Sequence, residues 1–193
     1  KNFPDIKTFQ VLSGAWEVAF DPKWGGPEKV TFDVLRDWTT RPERGISYYS
    51  GIATYRKTFN LTQIPGGKTY LDLGEVHDMA RVKLNGQDLG IVWCAPWRVE
   101  VTGVLKAGDN PLEIEVVNRW ANRLIGDKQP ADADVRTVEC PPGFLGGQPI
   151  KAGRYTFSTS DPYTKRSELV SSGLLGPVQL RNVPDFQPTA PRY

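Results

Sequence analysis

Apolar and polar side chains alternate at a period of two along much of this chain, and the alternation is clearest between Arg81 and Asn118. Val82 and Leu84 alternate with Arg81 and Lys83. Asn85-Gly86 then supplies two residues that tolerate positive φ, as a type I′ hairpin requires, and Asp88-Leu89-Gly90-Ile91 returns. Leu112, Ile114 and Val116 alternate with Glu113, Glu115 and Val117, so an antiparallel sheet with one dry face is expected. Between these strands Trp93-Cys94-Ala95-Pro96-Trp97-Arg98 sets two indoles around a proline. A proline stops a ladder and turns the chain, which places at least one indole at a sheet end or edge.

The same period recurs upstream. After Asn2 to Ile6, read as a linker or edge segment, Trp16, Val18 and Phe20 share one face of a first strand. A turn-rich loop from Asp21 to Pro27 follows, and Val30, Phe32 and Val34 mark a second strand. Tyr55, Lys57, Phe59 and Leu61 oppose Arg56, Thr58 and Asn60, and Thr69 to Leu73 forms the next strand. No helical apolar stripe precedes Trp120, so the fold class expected is all-β, an antiparallel jelly-roll β-sandwich, with Trp16, Phe32, Phe59, Leu84, Ile114 and Val116 buried between its sheets. From Trp120 to Ser160, Pro130, Pro141, Pro142 and Pro149 with five glycines break any period, over a stretch far longer than the roughly 12 to 15 residues of an ordinary loop. Such an excursion is either functional or pinned to something else. Within it Tyr155 to Ser158 could be a strand. Leu174 to Val183 closes the sheet with Val178 and Leu180 on one side, and the tail from Pro184 is expected to be loosely held.

At 193 residues the chain is long enough to bury a core as a single β-sandwich domain, core about 12–183, and 6 Trp, 7 Tyr and 8 Phe supply large buried areas. Lys and Arg number 24 against 22 Asp and Glu, a balance of +2 without a basic cluster, so neither nucleic acid nor an anionic membrane is an expected partner. No apolar run approaches the roughly 20 residues that span a bilayer, and no signal peptide is visible. Because the chain begins at Lys1, a fragment or a processed product is expected.

Candidate chemistry is sparse. Trp93, Trp97 and Trp120 could offer flat apolar faces to sugar C–H groups, or could fill the core and plug a sheet end. Arg98, Asn122, Arg123 and Asp127 carry planar donors and acceptors suited to hydroxyls, or could tie down the long loop or meet a neighbouring domain. His77-Asp78 could orient an imidazole, although no nucleophile motif accompanies it, and a loop hydrogen bond is the expected role. Glu113 and Glu115 share a face roughly 6 to 7 Å apart, near the spacing of a glycosidase carboxylate pair. Alternation of that kind is also what a solvated face looks like, and the turns around it suggest no pocket. No catalytic residue is expected. No cofactor or metal is expected either; Asp132 and Asp134 could lend oxygens to a structural calcium but lack the glycine and terminal glutamate of a calcium loop. One histidine and two cysteines fit no zinc spacing, and whether Cys94 and Cys140 form a disulfide is open.

Three stretches carry a family resemblance: Gly51 to Phe59 (GIATYRKTF), Leu71 to Gly86 (LDLGEVHDMARVKLNG) and Val116-Val117-Asn118. They resemble the sugar-binding domain of glycoside hydrolase family 2. The tryptophan-rich loop and Asn118 to Asp127 (NRWANRLIGD) more closely resemble the C-terminal β-sandwich of large Bacteroides-type α-L-rhamnosidases of family 106. The similarity runs from about Leu12 to Val183. It implies a galactose-binding-like jelly roll without catalytic residues of its own, accessory to an exported enzyme and hence periplasmic or extracellular. Carbohydrate and the catalytic domain of the same polypeptide are the implied partners. Three roles remain open: a carbohydrate-binding module, an interdomain scaffold, or a small glycosidase in its own right.

Overall fold

The computed structural model describes residues 5–129 and 162–184. In chain order the strands are β1 (Lys7–Val11), β2 (Trp16–Phe20), β3 (Val30–Phe32), β4 (Ile52–Leu61), β5 (Lys68–Asp72) and β6 (Glu75–His77). They continue with β7 (Met79–Leu84), β8 (Gln87–Val92), β9 (Arg98–Glu100), β10 (Gly108–Val117), β11 (Gly173–Gly176) and β12 (Gln179–Val183). Two short helices, α1 (Arg44–Ser47) and α2 (Ala121–Asp127), precede β4 and follow β10.

Strand β10 is the spine of one sheet, in the order β3-β2-β4-β10-β7-β8, and faces a second sheet ordered β1-β12-β5-β9. All of the strand pairs are antiparallel, and β6 and β11 make a small two-stranded ladder beside them. This is the antiparallel β-sandwich that the alternation implied. Leu112, Ile114 and Val116 point inward from β10 and meet Trp16, Val18 and Phe20 of β2, Tyr55 and Phe59 of β4, Val82 and Leu84 of β7, and Leu71 and Leu180 of the facing sheet in one apolar cluster. Pro111 sits within β10 without breaking it. Its carbonyl accepts from Asn85 N at 2.9 Å, so its missing N–H faces the side where β7 has already turned away. The turn is the one read from Asn85-Gly86, with φ of 53° and 81°.

Four local expectations need correction. A strand, β1, precedes the one read as first; it lies at a sheet edge with no buried residue, so it leaves no alternation to read. Val34 lies beyond β3 and is exposed. Leu174 to Val183 is two strands and not one, since β11 pairs β6 while β12 joins the four-stranded sheet, with Pro177 between them. The stretch after Trp120 opens with α2, too short at 7 residues to show a period. Gly126 explains the missing side chain inside that helix, since a Cβ there would stand 2.6 Å from the Tyr48 Cβ. The expected strand at Tyr155 to Ser158 lies outside the described residues.

Candidate functional site

Where β10 ends, its chain releases into Asn118, Arg119 and Trp120, and the neighbouring β4 begins at Ile52. A groove of about 350 Å³ opens between them, lined by Asp21, Trp24, Tyr49, Ile52, Asn118 and Trp120 among others. Its position follows from local chemistry. Asp21 caps a single 3-10 turn, Pro22–Trp24, by accepting from Lys23 N at 2.9 Å, and the turn carries Trp24. The Tyr49 hydroxyl accepts from Asp21 N at 3.1 Å and donates to Ile52 O at 3.0 Å, fastening that turn to the start of β4. Burial pushes the Tyr49 phenol pKa up, which keeps the hydroxyl protonated and able to donate. Asn118 accepts from Gly51 N at 3.1 Å and donates to Tyr49 O at 2.9 Å and to Ser172 Oγ at 3.1 Å. The groove floor is therefore a hydrogen-bonded frame, while Trp24 and Trp120 remain 42% and 54% exposed at its rim.

The residues singled out from the sequence separate in space. Trp120 reaches the groove, but Asn122 and Arg123 point into the protein. Asn122 donates to Val170 O at 2.6 Å and to Ser172 Oγ at 3.1 Å, and accepts from Val170 N at 2.7 Å. Arg123 donates to Asp127 at 2.7 Å in a buried i,i+4 ion pair. Asn122 thus ties α2 to the returning chain, while the buried Arg123 and Asp127 side chains pair within the helix. Trp97 packs against the core and its carbonyl accepts from Leu73 N at 2.7 Å. Arg98 lies in β9 of the other sheet with its guanidinium 5.5 Å from the Tyr70 ring centre. Trp93 follows β8 and is 70% exposed. The residue that sequence reasoning missed is Trp24. A large aromatic residue inside a proline- and glycine-rich turn was the available signal, because such a loop has little core to put it in.

The carboxylate pair is occupied. Glu113 accepts from Arg56 Nε at 2.9 Å and from Lys83 Nζ at 3.0 Å, and Lys83 also donates to Glu115 at 2.9 Å. These bonds follow the register, in which Glu113 lies opposite Arg56 on one side and Lys83 on the other. A hollow of about 480 Å³ does lie over this face, contrary to expectation, lined by Glu17, Arg56, Lys83 and Glu113 among others. Burial raises the Glu113 pKa, but the hydrogen bonds and charges of Lys83 and Arg56 outweigh it and hold the carboxyl below its ordinary range. A general acid for glycoside cleavage needs the opposite shift. His77 bonds Glu75 at 2.9 Å while Asp78 accepts from Arg119 at 3.0 Å, so the two neighbours do not form an imidazole–carboxylate unit. Cys94 is exposed, and Cys140, Asp132 and Asp134 lie outside the described residues.

Fold and site together define a galactose-binding-like β-sandwich with an aromatic groove at one end. Residues 46–153 match the family model described as the glycosyl hydrolase 2 galactose-binding domain-like family, and the chain belongs to that family. It is 41% identical over 177 residues to a protein of Formosa agariphila named "Putative beta-glucuronidase", an alignment covering 88% of this chain and 15% of that protein. The solved rhamnosidase from Novosphingobium sp. PP1Y superposes with a TM-score of 0.77 at 33% identity, over 94% of this chain and 16% of that one. A Ruminococcus gnavus β-glucuronidase solved with uronic deoxynojirimycin shares the fold at a TM-score of 0.50 and 21% identity, over 60% of this chain and 23% of that one. The chain thus spans only a small part of the proteins it resembles.

Proposed function

We propose that this chain is a non-catalytic carbohydrate-binding domain of an exported glycoside hydrolase, acting in the periplasm or outside the cell beside a catalytic domain of the same polypeptide. The observation that carries the reading is the groove, in which two exposed indoles and Ile52 stand over a polar frame. A pyranose ring is apolar on its C–H face and hydroxylated at its edge. An indole meets the first, and the Asp21 carboxylate and the polar groups of the rim meet the second. The occupied Glu113 and Glu115 pair supports binding without cleavage, and membership of a glycoside hydrolase domain family supports sugar as the ligand.

A shallow groove buries little ligand, so the affinity expected for a monosaccharide is about millimolar, near 4 kcal/mol. Calorimetric titration with rhamnose, galactose and glucuronate tests this. Saturable binding to at least one of them, weakened about tenfold or more by Trp120→Ala, is the expected result. Binding that ignores the substitution, or turnover of a rhamnoside or galactoside by the chain, contradicts the proposal.

A further inference from the structure

Register sorts the outward-facing side chains at this end of the six-stranded sheet into rows. Ile52 of β4 lies opposite Val117 of β10, and Val117 lies opposite Met79 of β7. Ala80 pairs with Val92, the last residue of β8, and Trp93 follows it directly in the chain. Ile52, Met79 and Trp93 are exposed and Val117 is half-buried. An apolar band therefore crosses β4, β10 and β7, two spacings that amount to roughly 9 to 10 Å, and leads toward Trp93 at the end of β8. It begins at Ile52, a residue that also lines the groove of Trp24 and Trp120.

The band is bordered by polar groups except at β8, where the exposed Ile91 pairs with Arg81. Toward the sheet interior the next row sets Thr54, Glu115 and Arg81 opposite one another, with Ile91 beyond them. Past the strand ends Arg119 donates to Asp78 at 3.0 Å. The charges along these edges are already matched within the protein, Arg119 by Asp78, Arg81 by Asp88 and Glu115 by Lys83. A stable protein partner covers about 800 Å² per side with a broad apolar centre, and a band mostly one residue wide, broadened only by Ile91 at β8, does not provide that. A chain of sugar rings needs what the band has: a narrow apolar track with hydrogen-bonding groups on either side and no net charge to neutralise.

We propose that the band extends the groove into a single tract for a neutral oligosaccharide of several rings, with Trp93 as its far platform. The inference rests on the groove binding sugar. The chain is titrated with neutral rhamno- and galacto-oligosaccharides of increasing length, from one ring upward. In the series that binds, the dissociation constant should fall at least about tenfold from the single ring to the longest member. Trp93→Ala should abolish that gain with length, whereas Trp120→Ala should weaken binding at every length. Affinity that does not change with length, or a gain that survives Trp93→Ala, overturns the tract while leaving the groove in place. If no sugar of any length binds, the proposed function fails first and takes the tract with it.

Discussion

Asp37 shows how one side chain joins parts of the chain that are far apart in sequence. Its carboxylate accepts from Thr39 N at 2.9 Å, capping the turn Trp38–Thr40, and also from Ser172 N at 3.0 Å and the Ser171 hydroxyl. Burial raises its pKa, but these hydrogen bonds outweigh it and leave the group below its ordinary 3.8. A folded-state pKa below the unfolded one means stability that is fully present above the ordinary value and lost as pH falls through the folded value. Asp37→Asn should therefore cost about 1 kcal/mol at neutral pH, a figure kept low because the group is only partly buried, and the cost should shrink as pH falls below 3.8. Urea unfolding of both proteins at the two pH values measures it, and an equal cost at both would contradict the assignment. The longer-range part of this was not legible beforehand. Ser171 and Ser172 lie 134 and 135 residues further along, so no local pattern announces them.

At the scale of elements, local chemistry was readable where it is self-contained. The Asn85-Gly86 turn needs nothing beyond its own two residues to demand positive φ, and the structure has it at both. A Cβ on Gly86 would meet nothing within 4 Å, so the cost of a side chain there is conformational and not steric. Gly86→Val should lower stability by about 1 kcal/mol or more, because a β-branched residue resists that φ. An unchanged thermal midpoint would show that the hairpin tolerates another turn. Strand β1 and helix α2 escaped the same reading for opposite reasons: β1 has no buried face to mark it, and α2 is anchored by Asn122 to a segment that returns only at Val170. Ser172 accepts from both Asn118 and Asn122, so the groove frame and the helix share an anchor that no local pattern announces.

For the whole molecule, alternation predicted the burial of Trp16, Phe32, Phe59, Leu84, Ile114 and Val116, and all of them lie in the core. The candidate site was only partly legible, since sequence order marks where a strand ends but not which loop from another strand meets it there. Trp120 was found because it follows β10 directly. Trp24 stands beside it because β2 and β10 flank β4, so the loop after β2 and the segment after β10 both border the start of that strand. The six tryptophans provide the most direct test that sugar enters between these two. Their indole N–H resonances can be followed one by one in a labelled sample as a monosaccharide is added. The signals of Trp24 and Trp120 should move together along one saturation curve while those of the buried Trp16 and Trp38 stay fixed. Saturable binding that leaves the Trp24 and Trp120 signals unmoved would contradict the account.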